Sequence, residues 1–200
     1  MANSDRPNGL IPVGTKSGSP WNASVREYEV DSSNASAIGI GTAVIQEADG
    51  NVTPATAGTG NEILGVVVGV VPTGNVEADN FLTSANLSTT EHPGYLAAST
   101  AGRVLVAIGQ DVLFVAQMDS GTAVTAVARG GRVDLASNGV STTTGRSTAE
   151  LDADGVTTTA ADQFAIIDYV HSPDNDLSVE HSKWIVSINN YQLAEASGGI

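Results

Sequence analysis

The sequence contains no cysteine, which excludes disulfide bonds and thiolate metal sites. Its histidines form no i, i+4 pair and no metalloprotease spacing, since they stand far apart at His92, His171 and His181. Two acidic stretches, DGN at 49–51 and DADG at 152–155, lack the distal glutamate of an EF-hand, and turn formation explains both. We therefore expect no bound metal ion and no cofactor.

Basic residues are scarce. Eight lysines and arginines stand against 22 aspartates and glutamates, which gives a formal net charge of −14. Binding to DNA, RNA or an anionic membrane surface needs a basic footprint, so nucleic acids and membranes are excluded as expected partners. Solubility alone explains this charge, and so does a protein partner, and composition leaves both explanations open.

Aromatic residues and long apolar runs are also few. The nine aromatic side chains leave a core built largely from alanine and valine, which is thin, so we expect self-association into a homo-oligomer, either a dimer or a trimer. No apolar run approaches the roughly 20 residues of a membrane span, and the first residues lack the layout of a secretory signal. These features predict a soluble chain made in a cytoplasm.

Catalytic motifs are missing from the sequence as well. No G-x-S-x-G element is present, and 39–41 (GIG) lacks the strand–helix context of a dinucleotide-binding loop. Asp168 is the one carboxylate inside an apolar run, and we expect it on a solvated or hydrogen-bonded strand face. We therefore expect no catalytic residues and no enzymatic activity.

Short apolar runs separated by clusters of Gly, Asn, Asp, Ser and Thr predict a mainly β fold, a compact antiparallel β-barrel or sandwich. The run ILGVVVGVV at 63–71 predicts a central strand covered on both faces, with bulges or close backbone contacts at its glycines. Hairpin turns are predicted at 49–50 and 109–110. The remaining predicted strands are 25–30, 38–44, 103–108, 111–117, 122–128, 164–170 and 183–189.

The first residues differ from this pattern. Pro7, Pro12 and Pro20 argue against a helix and against a packed strand. We therefore predict an extended N-terminal arm over 1–24, followed by a single β-rich domain over 25–200. Two long polar loops are predicted within that domain, at 76–95 and 137–161.

Trp21 is the most distinctive residue of this arm. An exposed tryptophan in a Pro/Gly-rich segment is costly, and such a side chain is suited to anchor the arm in a pocket of another subunit. The alternative is that Trp21 folds back onto its own domain.

Several segments together resemble capsid cement, or head-decoration, proteins of tailed bacteriophages, including aquatic phages and cyanophages. The main one is R-P-N-G…P-V-G…S-G-S-P-W-N-A-S-V-R-x-Y at 6–28, and 76–90 stands out as an insertion relative to the pattern. The other segments are ILGVVVG at 63–69, EHPGYL at 91–96, STTTGRS at 141–147, KW at 183–184 and NNYQ at 189–192.

The resemblance implies a structural virion protein that binds the outer surface of a phage capsid and bridges neighbouring major capsid subunits. Its partners would be the major capsid protein and other copies of itself, and it would be made in the host cytoplasm during assembly. The expected contact residues are Arg6, Pro7, Trp21, Arg26 and Tyr28. Deletion of 1–24 would leave the body folded but weaken attachment.

Two other functions remain open. One is a different virion β module, at the base of a head fibre or in the tail. The other, less favoured, is a carbohydrate-binding β module, which would need aromatic residues clustered on one face.

Overall fold

The computed structural model describes residues 3–71 and 94–194, and these are almost entirely β-structure. No helix in these two ranges is long and apolar enough to cross a membrane. The elements are β1 (Ile11–Thr15), β2 (Arg26–Val30), β3 (Ile38–Gly39), β4 (Ala43–Gln46), β5 (Val52–Pro54), β6 (Gly65–Val71), β7 (Tyr95–Leu96), β8 (Gly102–Ile108), β9 (Val112–Gln117), a 3₁₀ turn η1 (Ala126–Ala128), β10 (Arg132–Val133), β11 (Leu135–Ser137), β12 (Glu150–Leu151), β13 (Phe164–Tyr169) and β14 (Lys183–Ile188).

Two five-stranded antiparallel sheets form the body. The first has the order β1-β9-β14-β13-β10 and the second has the order β2-β8-β6-β4-β5. Neither sheet closes on itself, so the body is a sandwich and not a barrel, and the prediction of a mainly β fold is confirmed. Two small pairs, β3-β7 and β11-β12, complete the described structure.

The main core lies between the two sheets. Trp184, Val186 and Ile188 alternate along β14 and are almost fully buried, which confirms the predicted face of that strand. They join Phe114 of β9 in a cluster that also contains Val66 of the second sheet. Burial of alternate residues from both sheets is what holds a sandwich together.

A second, smaller core covers the other face of the second sheet. It contains Val67 of β6 and Val104 of β8, which pack with Ile38 and Leu96 of the β3-β7 pair. Strand β6 therefore lies between β4 and β8 with apolar contacts on both faces. The predicted central strand is confirmed, and the chain's own residues cover it.

The glycines of β6 behave as the sequence predicts. A Cβ on Gly65 would lie 2.4 Å from the carbonyl oxygen of Ala107, so only glycine allows the two backbones to approach this closely. The register with β8 shifts between Val67 and Gly69, which marks a bulge. The hairpin at 49–50 is also confirmed, because β4 pairs with β5 and Gly50 has φ +91°.

The N-terminal segment departs from the prediction of an extended arm over 1–24. Strand β1 pairs with β9 in the first sheet, and Leu10 is only 1% exposed. Proline is tolerated at Pro12 because β1 is an edge strand, where a missing N–H group breaks no hydrogen bond between strands. Pro20 lies after a turn and bridges to Gly14. The prediction that this segment contains no packed strand is therefore wrong.

The hairpin predicted at 109–110 is also wrong. Strand β8 pairs with β2 and β6, whereas β9 pairs with β1 and β14, so Gly109 and Gln110 connect the two sheets. Both strands carry apolar residues that need cover. Because β8 and β9 lie in opposite sheets and face each other across the core, their apolar residues are buried better than they would be in one hairpin.

Two further predictions need correction. The strand predicted at 122–128 is instead an irregular segment that ends in η1, where the Ala128 N–H bonds to the Thr125 carbonyl. The predicted loop at 137–161 contains β12 and a bridge between Val140 and Ser147, so it has structure of its own. Of the loop predicted at 76–95, residues 76–93 lie outside the described residues, as does His92.

Candidate partner-binding surface

An apolar pocket of about 370 Å³ opens where the first edge strand meets the second sheet. Its walls come from β1, from the connection between β1 and β2, from β6 and β8, and from the 137–161 segment. The lining residues are Leu10, Ile11, Pro12, Trp21, Ala23, Val25, Ile40, Val68, Leu105 and Arg146.

A tight turn after β1 places Trp21 in this pocket. The Thr15 N–H donates to the Ser19 carbonyl, and Gly18, with φ +86°, reverses the chain. Trp21 is half-buried and packs against the main core of its own chain. The alternative that Trp21 folds back onto its own domain is therefore the one found here.

The indole N–H of Trp21 has no hydrogen-bond partner among the described residues. Its Nε1 is buried, and no acceptor for it is found in the part of the chain that the structure describes. A buried donor without an acceptor costs about 1–3 kcal/mol. The Trp21 ring therefore packs against apolar neighbours, but its Nε1–H group has no acceptor among the described residues.

Exposed apolar side chains surround this pocket. Ile11 is 39% exposed, Val13 is 45% exposed and Val25 is 36% exposed. Single exposed apolar residues are ordinary, but Ile11 and Val25 line the cavity and Val13 stands two positions after Ile11 on the same strand. Together they form a patch of the kind that marks interaction sites. Ile11 and Val13 belong to the edge strand β1, whereas Val25 immediately precedes β2.

Arg146 brings a positive charge to the pocket. Its side chain is exposed and forms no ion pair with the described residues. The backbone of Arg146 is fixed in place, because it bridges to Ile40 and its carbonyl accepts the Ser141 N–H. A guanidinium that has no ion-pair partner among the described residues and lies beside an apolar cavity is suited to a carboxylate on a partner.

The other predicted contact residues do not line this pocket. The backbone N–H of Arg6 donates to Oε1 of Gln117 at 3.2 Å, while the Arg6 side chain is exposed and Pro7 is half-buried. Arg26 and Tyr28 lie near Tyr191, where burial and, to a smaller extent, the Tyr28 hydroxyl raise the pKa of the Tyr191 phenol. The structure thus separates these four residues from Trp21.

Sequence reasoning missed several residues of this surface. Ile11, Val13 and Val25 carry no sequence signal of exposure, because alternation alone does not tell which face of an edge strand is covered. Arg146 lies within the STTTGRS segment, but its role beside Trp21 depends on the fold. Sequence reasoning also missed a second cluster away from this pocket, Asp5, Glu150 and His181, whose ligand atoms lie within 4.8 Å of one another.

A larger, shallower groove of about 730 Å³ surrounds η1. Val127 stands at its edge and is 90% exposed. On nearby β13, Asp168 accepts the Tyr169 N–H, which lowers the pKa of the Asp168 carboxyl, and His171 and Arg129 lie beside it. Asp168 is thus hydrogen-bonded at the surface, as predicted, and not held protonated as a general acid would be.

Comparison of the chain with protein-family models, with curated proteins and with solved structures finds no match. The fold and the pocket therefore define a class only: a two-sheet antiparallel β-sandwich with an apolar pocket on one edge.

Proposed function

We propose that this chain is a structural virion protein that binds the outer surface of a phage capsid and cements neighbouring major capsid subunits, without enzymatic activity. One observation carries the proposal. Three of the segments that resemble cement proteins meet at the same pocket, since Trp21, Val68 and Arg146 come from 6–28, 63–69 and 141–147 respectively. A shared binding task gives a physical reason for these three segments to meet at one surface.

The chemistry of the pocket supports a protein partner. Its apolar walls suit the side chain of a Leu, Ile or Phe residue, and Arg146 suits an acidic group close to that side chain. Among the described residues, β1 has a strand partner on one side only, apart from the turn that covers its end at Gly14 and Thr15. An extended capsid segment beside it would combine backbone and side-chain contacts.

The net charge supports an external position. A chain with a net charge of −14 is repelled by packaged DNA and suits basic patches on the outside of a shell. Assembly as a dimer or trimer would place several pockets on one lattice site. Weak individual contacts would then give nearly complete occupancy through effective concentration.

Trp21→Ala and Arg146→Glu should each weaken binding to capsid shells that lack the protein. Residues at the centre of an interface cost about 2 kcal/mol or more when truncated, which corresponds to about a 30-fold loss of affinity. Quantitative co-sedimentation with purified shells would measure the loss. Arg129→Glu is the matched control, because Arg129 is exposed, carries the same charge and lies outside the pocket.

The proposal fails if both pocket variants bind shells with the affinity of the wild type while remaining folded. Counting copies in purified particles separates cement from the alternative virion roles. A copy number near that of the major capsid protein favours cement, whereas a few copies per particle indicates a fibre or tail module. Binding to the shell should also weaken as salt rises, since the proposed attraction is partly electrostatic.

A further inference from the structure

A separate cluster of side chains lies where the N-terminal segment meets the first sheet. Asp5 precedes β1, Glu150 begins β12 and His181 precedes β14. Nδ1 of His181 is 4.0 Å from Oδ1 of Asp5 and 3.9 Å from Oε1 of Glu150. All three ligand atoms lie within 4.8 Å of one another. Folding thus brings together one nitrogen and two oxygen donors from distant parts of the chain.

The buried side-chain amide of Gln117 contacts all three of these ligand atoms. Gln117 is 4% exposed, and its Nε2 lies 3.2 Å from Oδ1 of Asp5, 3.0 Å from Oε1 of Glu150 and 3.4 Å from Nδ1 of His181. Its Oε1 accepts the Arg6 N–H, which fixes the orientation of the amide. An amide NH₂ has two hydrogens. When the imidazole proton is on Nε2, Nδ1 of His181 is an acceptor, and three acceptors then converge on a group that can satisfy two of them.

The surroundings add further negative charge. On the far side of the imidazole, Oε2 of Glu180 lies 3.7 Å from Nε2 of His181. Metal-ligating histidines commonly face a carboxylate with their second nitrogen, which orients the ring. His181 thus has the outer partner that such a ligand uses.

We propose that Asp5, Glu150 and His181 form a binding site for a divalent transition-metal ion, with Zn²⁺ as its preferred occupant. Two carboxylate oxygens and one imidazole nitrogen, with water in the fourth position, are a donor set that zinc accepts. Metal–ligand distances of about 2.0–2.2 Å place tetrahedral donors roughly 3.3–3.6 Å apart. The two pairs that involve His181 need to close by only about 0.5 Å for this, and the Gln117 amide must turn aside.

A bound ion would fasten the start of the chain to the body. Asp5 belongs to the segment before β1, while Glu150 and His181 belong to the body. The side chain of Asn3 already donates to the carbonyls of Asp176 and Glu180 nearby. The ion would therefore add a cross-link at the open end of an edge strand.

Isothermal titration of the full chain with Zn²⁺ tests the proposal. We expect one site per chain with a micromolar or lower Kd, weaker binding of Ca²⁺, and a Tm increase of about 5 °C or more at saturation. Asp5→Asn and Glu150→Gln should each weaken Zn²⁺ binding at least tenfold. Binding should also weaken as the pH falls, because protons compete for the same ligands.

His171→Asn is the matched control, since His171 is exposed and lies beside a different carboxylate, Asp168. It should bind Zn²⁺ as the wild type does. Gln117→Ala removes the competing amide and should tighten binding, which tests the site even if a ligand variant folds poorly. Equal affinity in the wild type, Asp5→Asn and Glu150→Gln, or tighter binding of Ca²⁺ than of Zn²⁺, would overturn the proposal.

Discussion

Removal of residues 1–24 is expected to destabilise the protein by several kcal/mol and to promote its aggregation. Leu10 is buried in the main core, and its N–H donates to the carbonyl of Gly41. Loss of one buried leucine alone costs about 2–5 kcal/mol. The deletion also exposes β9 as a long apolar edge strand, which invites pairing with other chains.

This expectation reverses the one drawn from the sequence, in which a free arm could be removed without harm to the body. Urea denaturation followed by tryptophan fluorescence would measure the change, and light scattering would detect aggregates. A truncated chain with an unchanged unfolding midpoint would contradict the packing of β1 described here.

A matched pair of single variants separates packing from chain length. Leu10→Ala should cost about 2–5 kcal/mol, whereas Ile11→Ala should cost about 1 kcal/mol or less because Ile11 is 39% exposed. The two residues are adjacent and similar in size, so the difference reports burial alone. Comparable costs for both would mean that the buried Leu10 and the exposed Ile11 beside it contribute equally to stability.

Gln163→Leu is expected to destabilise the protein by about 3 kcal/mol or more. The side chain is fully buried, and its Oε1 accepts the N–H groups of Gly58 and Leu135. Its Nε2 donates to the carbonyl of Thr56. Leucine has a similar size but can bind none of these groups. Each buried polar group left without a partner costs about 1–3 kcal/mol.

Gln110→Leu serves as the control for this variant. Gln110 is exposed, and its side chain makes one long hydrogen bond, to the carbonyl of Asn189 at 3.4 Å. Its replacement should change the free energy of unfolding by about 0.5 kcal/mol or less. If Gln163→Leu were equally mild, the polar network around Gln163 would not be holding the 56–58 loop against β11.

The parts of the fold that were predicted correctly depend on local patterns. The alternation of Trp184, Val186 and Ile188 identified the buried face of β14, and Asp49-Gly50 identified a hairpin. In both cases the relevant neighbours are close in sequence. Turn chemistry and a period of two therefore determine the result.

The parts that were wrong depend on which strands become neighbours. Gly109-Gln110 looks like a hairpin turn, but pairing β8 with β9 would leave apolar faces of both strands uncovered. Likewise, Pro12 argues against a packed strand only if both of its sides need hydrogen bonds. At the edge of a sheet one side is free, and nothing local in the sequence tells that β1 lies there.

The candidate sites divide in the same way. Trp21 could be singled out from composition alone, because a tryptophan among prolines and glycines is unusual. Its place in one pocket with Arg146 brings together residues 125 positions apart. In the other cluster, Asp5 is 145 positions from Glu150, and Glu150 is 31 positions from His181. Such contacts have no spacing that a sequence pattern reveals.

The sequence by itself determined the mainly β class, the central strand β6 and the acidic surface, because composition and short-range periodicity are sufficient for these. Only the tertiary structure decided that the N-terminal segment is part of the sandwich and that its tryptophan forms the wall of a pocket. The physical reason is that burial is a property of the whole fold. Leu10 and Trp21 are covered by residues from both sheets, and that cover exists only once the sheets have packed together.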